Sequence, residues 1–448
     1  MTTPVRRAGV FAILCTLALA VPLGGPWVGI VIAAAIVVGA FAVTDGPLFD
    51  LLAYPGDYED GRLYGLITFA LAAVALGIVA ATTSMSVAVF VGTVLLIGYG
   101  NLAEQIARRR TDDDVLRSGA FCLVATGGAV VGQTLTHEFT DSIGPLESVA
   151  STFPAMIFLG ASGALLAALL RDVLLSHDDP IVMLAVGLLC WLLAELEPTL
   201  TTAGIVAALA ITIALGYASY ALETASIAGM LTGILLGLLT IVLGGYGWFV
   251  VLISFFGIGG LSSKFRYEQK TELGVAEDNN GARGSGNVLG NAAVAIVAVL
   301  GYAASSATLF PGDPDPNLFL FAFTGSVATA MSDTLSSEIG SVFETPRLIT
   351  TLEPVEPGTD GGVTWQGEIA GLAGAAVVGG ISYALFPEVT AVGAAIIVAA
   401  GIVGMTVDSL LGATLEGNVL GNQGVNFLAT LSGALICALL VLSFAMLG

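Results

Sequence analysis

Basic side chains are the scarcest feature of this 448-residue sequence. Lys and Arg number 13 against 34 Asp and Glu, giving a formal net charge of −21. That balance argues against a chain that binds nucleic acid by neutralising phosphates. Charge of either sign is itself rare, at 10% of residues, while 56% are hydrophobic and mean hydropathy is +0.94; an ordinary soluble domain does not have this composition. Histidine is nearly absent. His137 and His177 stand apart in or near loops and read as solvated residues rather than metal ligands. The four cysteines, Cys15, Cys122, Cys190 and Cys437, fall in apolar runs with no CxxC, so neither a disulfide framework nor a zinc site is indicated. No GxxxxGK[ST], HExxH or GxSxG occurs, which disfavours a P-loop or protein-kinase fold. The apolar runs also lack the two-residue alternation of a membrane β-barrel.

What the sequence does have is apolar stretches long enough to cross a bilayer as helices, recurring from end to end. They fall at about 8–23, 27–44, 63–81, 84–101, 118–135, 150–171, 181–197, 200–218, 225–243, 246–262, 287–309, 317–332, 368–386, 388–407 and 424–447. The fold class is therefore all-α, a polytopic transmembrane bundle of about fifteen helices. The first span follows Arg6 and Arg7 as a signal peptide would, but a second span follows almost at once, which disfavours cleavage. Every Lys and Arg lies before an odd-numbered span or after an even-numbered one, so the positive-inside rule puts the N-terminus in the cytoplasm and the C-terminus outside. The acidic surplus suits either a halophilic proteome, where salt screens self-repulsion, or an acidic loop set with another purpose.

The chain divides near an acidic, proline-containing turn at 194–198. Residues 1–199 hold about seven spans with modest loops; residues 200–448 hold about eight spans and most of the dense polar sequence. Three polar segments stand out there, at 264–291, 332–367 and 408–426, all on the side assigned to the cytoplasm. The hexapeptide GNVLGN occurs twice, at 286–291 and 417–422, each near an Asp-(Thr/Ser)-Leu at 333–335 or 408–410. The order differs between the two, which does not support a tandem repeat; the recurrence reflects either a shared local geometry, with asparagines four apart on one helix face, or chance in glycine-rich sequence.

Several residues in these segments could carry chemistry, each with a plainer alternative. Arg283 with Gly284 and Gly286 precedes a span, an arrangement that binds phosphate at a helix N-terminus or merely sets topology. Asp333 and Ser337 share a helix face, with Glu338 near it, a carboxylate and hydroxyl set suited to Mg²⁺ or simply to a solvated helix end. Arg347 is a lone cation among acids, fit for phosphate or for orienting the chain. Gly358, Thr359, Gly361 and Gly362 form a turn that could present amides to an anion, or an ordinary surface turn. Asp408 ends an apolar span, and a carboxylate there is a functional candidate. Asn418, Asn422 and Asn426 continue from it as a polar stripe that could equally serve helix packing.

The ordered motifs KFRYEQK…GARGSGNVLGN, SDTLSSEIG, PRLITT, GTDGGVTWQG and DSLLGATLEG…NFLAT resemble the integral membrane family that contains plant phytyl-phosphate kinase and transmembrane protein 19, known as domain of unknown function 92. The resemblance covers about 200–448. It implies a kinase that converts a prenyl monophosphate, such as phytyl or geranylgeranyl phosphate, to the diphosphate with a nucleoside triphosphate, CTP-like, and Mg²⁺. Under that reading Asp333, Glu338 and Asp408 hold the metal. Arg283 and Arg347 hold phosphates, assisted by the glycine turns at 284–286 and 358–362, and Lys264 is a further candidate for the donor. Asp333, Asp408 and Arg283 are the residues expected at the reacting groups. Residues 1–199 resemble, faintly, membrane polyprenol kinases and cytidylyltransferases at Arg62 and Gly100-Asn101; those enzymes have Gly-Asp at the second point, so the Asn argues against catalysis there. Two other function classes fit parts of the pattern: a transporter, through its glycine- and asparagine-interrupted segments, and a CTP-dependent lipid cytidylyltransferase.

Overall fold

The computed structural model describes residues 3–140, 145–173, 179–275, 284–343, 345–417 and 419–447. It forms two compact units, Met1–Ala207 and Ala208–Gly448. The first contains Pro4–Thr16 (α1), Val21–Gly24 (α2), Pro26–Ala42 (α3), Gly46–Leu52 (α4), Asp57–Asp60 (α5), Tyr64–Thr82 (α6), Val87–Ala107 (α7), Asp114–Thr140 (α8), Pro145–Val173 (α9) and Asp179–Glu195 (α10). The unit boundary falls inside Thr202–Ala221 (α11). The second unit continues with Ile227–Gly244 (α12), Tyr246–Ser263 (α13), Tyr267–Glu272 (α14), Ser285–Ser306 (α15), Pro316–Gly340 (α16), strands Arg347–Leu348 (β1) and Gly362–Val363 (β2), then Trp365–Leu385 (α17), Ala391–Leu415 (α18) and Asn422–Leu447 (α19).

Among the described residues, 13 helices are long and apolar enough to cross a membrane. α3 and α10, at 17 residues each, fall just short of that length. Every span read from the sequence therefore has a helix at its place. The ends differ: α16 runs past 332 to Gly340 and α18 past 407 to Leu415. Hydropathy reports where the bilayer stops, whereas the backbone continues while its i→i−4 bonds are satisfied. These polar extensions carry Asp333, Glu338 and Asp408.

Local chemistry sets the helix starts. Ser226, Asp315, Thr364 and Thr390 cap α12, α16, α17 and α18 with side-chain oxygens that accept first-turn amides. Pro316 follows the Asp315 cap at a position where its missing N–H costs nothing.

In the second unit α16 is the buried centre and packs against α13, α15, α17, α18 and α19. Lipid tails are as apolar as leucine, so helices associate in a bilayer through close fit rather than hydrophobic expulsion. Glycines supply that fit. A Cβ on Gly374 would lie 3.0 Å from the Met331 carbonyl oxygen, and one on Gly401 3.1 Å from the carbonyl carbon of Ala328. Gly325 of α16 similarly faces the Gly433 carbonyl of α19. At the opposite end of α16 from Asp333, Trp248 packs on Tyr302, Phe323 and Phe386.

Beyond α13 the chain is tied back by Lys270. This lysine is 2% exposed, donates to the carbonyls of Ser262 and Ser263, and forms an ion pair with Glu338 of α16. Antiparallel β1 and β2 pair Arg347 with Val363 and Leu348 with Gly362, closing the α16–α17 connection into a hairpin.

Two outcomes follow from this packing. Gly401→Leu should lower the melting temperature in detergent, by a cost of about 1–3 kcal/mol for overpacking; Gly380→Leu, where a Cβ meets nothing within 4 Å, should leave it nearly unchanged. Lys270→Met should destabilise by about 3–5 kcal/mol because Glu338 is left buried and unpaired, and pairing it with Glu338→Met should restore much of the loss in chemical denaturation.

Candidate functional site

The polar ends of α15, α16, α18 and α19 and the hairpin enclose a cavity of about 340 Å³ in the second unit. Its wall carries five carboxylates: Asp333, Glu338, Asp360, Asp408 and Glu416. Hydroxyls from Ser336, Ser337, Ser341, Thr334, Thr359, Thr364 and Ser409 line it with the amides of Asn287, Asn291, Asn422 and Asn426.

Asp333 and Asp408 meet in hydrogen-bond contact across α16 and α18. Oδ1 of Asp408 is buried and has no hydrogen-bond partner. Two touching carboxylates repel unless a proton or a cation lies between them, and a buried carboxylate oxygen without a partner is costly. Glu338 reaches the same cavity but is engaged by Lys270, so the three proposed metal ligands divide into a facing pair and an ion-paired third. No cluster of three or more His, Cys, Asp or Glu side chains suited to a metal forms among the described residues. Lys270 is the residue sequence reasoning passed over; its signal was that it is one of only two lysines in a strongly acidic chain.

The hairpin turn forms one wall. Gly358 and Gly361 have φ of +83° and +74°, the left-handed region glycine adopts without strain. Gly361 also presses on α18, where a Cβ would lie 2.6 Å from the Ser409 carbonyl oxygen. Gly358, Thr359, Gly361 and Gly362 all line the cavity. The amides of Thr359 and Gly362 are already donated to Glu356 and Thr359 within the turn, so it does not offer them as an anion nest. The turn also carries Asp360. Burial, and then Asp360, raise the Glu416 carboxyl above its usual range, so it takes up a proton at higher pH than a free glutamate would.

Two of the expected cations, Arg347 and Lys264, sit elsewhere. Arg347 is exposed on β1, where its Nη1 donates to the Leu352 carbonyl at 2.7 Å, and it is not part of the cavity wall. Lys264 is exposed at the end of α13, with Nζ on the Leu222 carbonyl at 2.8 Å. Arg283 and Asn418 lie outside the described residues. Gly284 caps α15, and neither it nor Gly286 faces the cavity. Gly286 instead faces the Gln423 side chain, and a Cβ on Gly290 would lie 3.1 Å from the Gln423 carbonyl oxygen. These glycines let α15 close on α19 and bring Asn287 and Asn291 into one cavity with Asn422 and Asn426.

The two GNVLGN copies do not share a geometry. The first begins α15, whereas the described residues of the second before Asn422, Gly417 (φ +74°) and 419–421, are non-helical and lead into α19. What recurs is a pair of asparagines four residues apart: Asn291 donates to Asn287 and Asn426 donates to Asn422. In the first unit, Asn101 and Glu104 accept from Arg171, which also pairs with Asp179, and Arg62 donates to the Phe41 carbonyl. Asn101 thus serves an ion-pair network.

A family model described as integral membrane protein DUF92 matches residues 210–434, a stretch that contains every residue lining the cavity. An uncharacterized membrane protein of Methanocaldococcus jannaschii is 36% identical over 218 residues, which is 47% of this chain and 84% of the relative. An uncharacterized membrane protein of Synechocystis is 31% identical over 195 residues, 42% of this chain and 73% of its own. The chloroplastic protein VTE6 of Arabidopsis thaliana is 31% identical over 220 residues, 48% of this chain and 65% of its own. No solved structure matches significantly. With thirteen membrane-length helices among the described residues and a family match across the whole cavity-forming region, the chain belongs to the DUF92 family of integral, multi-pass membrane proteins.

Proposed function

We propose that this protein is a membrane kinase that transfers a phosphoryl group from a nucleoside triphosphate, CTP by preference, to a prenyl monophosphate such as phytyl or geranylgeranyl phosphate. The observation that carries the reading is the polar cavity at the ends of apolar helices, where Asp408 and Asp333 face each other and Oδ1 of Asp408 has no partner. A lipid phosphate reaches such a place with its chain still in the bilayer. The positive-inside pattern of the sequence supports a cytoplasmic position for it, where soluble nucleotide is present.

The donor set fits Mg²⁺, which takes oxygen ligands, binds through one or two carboxylates and keeps further positions for substrate phosphates. Asp333 and Asp408 would hold it. When bound, the metal supplies charge neutralisation for phosphates that would otherwise face five carboxylates. The protein's own part is alignment. Asn287, Asn291, Asn422 and Asn426 offer amide donors to phosphate oxygens, and the serine and threonine hydroxyls add further donors. An acceptor phosphate monoester is largely ionised near neutral pH, so its oxygen attacks the terminal phosphorus of the donor without a general base. A P–O bond forms to the acceptor, the P–O bond to the leaving nucleoside diphosphate breaks, and the site has only to bring the two in line and exclude water.

The test is to incubate purified protein with geranylgeranyl or phytyl phosphate, Mg²⁺ and a nucleotide panel. Prenyl diphosphate and nucleoside diphosphate are the expected products. Pyrophosphate release would identify a cytidylyltransferase instead, and uptake into proteoliposomes without nucleotide would identify a transporter. Asp333→Asn and Asp408→Asn should each lower kcat/KM by about 100-fold or more, and chelation of Mg²⁺ should abolish turnover reversibly.

A further inference from the structure

Next to the polar cavity the second unit has a separate, mostly apolar slot of about 80 Å³ between α11, α12, α13 and α15. Its wall includes Gly233 of α12, Phe249, Ile253 and Phe256 of α13, and Val288 of α15. Consecutive residues in the first turns of α15 line both spaces: Asn287 the polar cavity and Val288 the slot. One end of its lining, at Gly260 and Val288, lies where α13 nears its end and α15 starts. From Gly260 it follows α13 down to Phe249, a depth of about 16 Å at the helical rise. Gly233 meets nothing within 4 Å of a built Cβ, so its lack of a side chain leaves space open rather than serving a helix contact.

We infer that the slot takes the hydrocarbon chain of the lipid phosphate whose headgroup occupies the polar cavity, and that Gly233 sets which chains fit; this rests on the prenyl-phosphate kinase reading. Asn287 and Val288 are adjacent in the chain, so one molecule with a charged head beside the first and an apolar tail beside the second would satisfy both spaces. The slot is smaller than a long prenyl chain, and the remainder lies along the α11 face that carries Ile211 and Leu215, four residues apart and both exposed.

Two measurements decide this. In the kinase assay, Gly233→Phe should lower kcat/KM for geranylgeranyl phosphate relative to dimethylallyl phosphate by about tenfold or more, through KM, while Gly380→Phe should not alter that ratio. An unchanged ratio in Gly233→Phe, with both substrates turned over by the unaltered protein, overturns the slot and leaves the kinase reading standing. The second measurement needs no turnover. Geranylgeranyl phosphate with a diazirine on its chain is photolysed on the intact protein and the label mapped by mass spectrometry. Labelling between Phe249 and Phe256, displaced by plain geranylgeranyl phosphate but not by excess phosphatidylglycerol, is the expected result. Labelling elsewhere, or equal displacement by the phospholipid, shows an ordinary lipid-facing groove and overturns the inference. Failure of turnover with every nucleotide counts against the kinase reading alone.

Discussion

Close approach of helix backbones around α16 is the constraint from which the second unit follows. With five helices against one, side chains of ordinary size would hold the neighbours apart, and glycines at the contacts remove that obstacle. α16 and α18 are thereby drawn together along their length. Because both helices continue past their apolar stretches, the approach does not end at the membrane boundary; it carries Asp333 and Asp408 into contact. The same device acts at Gly286 and Gly290, which bring the α15 and α19 asparagines into one cavity, and at Gly361, which seats the hairpin on α18.

The wall of the cavity that results is dominated by carboxylates and neutral donors. Lys270 is spent on Glu338, and Arg347 and Lys264 serve nearby backbone carbonyls. On the proposed kinase reading, a phosphate would enter such a place accompanied by cations, which is the part assigned there to Mg²⁺. The pairing of Lys270 with Glu338 also has a structural result: it fixes the segment after α13 against the end of α16, and so fixes one side of the cavity.

Much of the architecture was legible in the sequence, because crossing a bilayer imposes a length and an apolarity that can be counted. Every expected span has a helix at its place, and Asp333, Asp408 and the 358–362 turn were identifiable as polar groups at span ends. The division of labour among them was not. Glu338 looked equivalent to Asp333 by type and position, and only packing gave it to Lys270. Arg347 stood out as a lone cation, yet its guanidinium closes a loop. The repeated hexapeptide left shared geometry and chance recurrence open; in the structure one copy starts a helix and the described residues of the other before Asn422 are non-helical.

The sequence by itself determined that this is a polytopic helical membrane protein whose dense polar segments gather in its second half. Hydropathy and charge are properties of individual residues summed along the chain, and the bilayer reads them locally. Tertiary structure decided which carboxylates meet, which cations are already engaged, and that Asn287 and Val288, adjacent in sequence, face two different spaces. Those outcomes depend on which residues approach across helices far apart in the chain, and a single sequence contains no record of that distance.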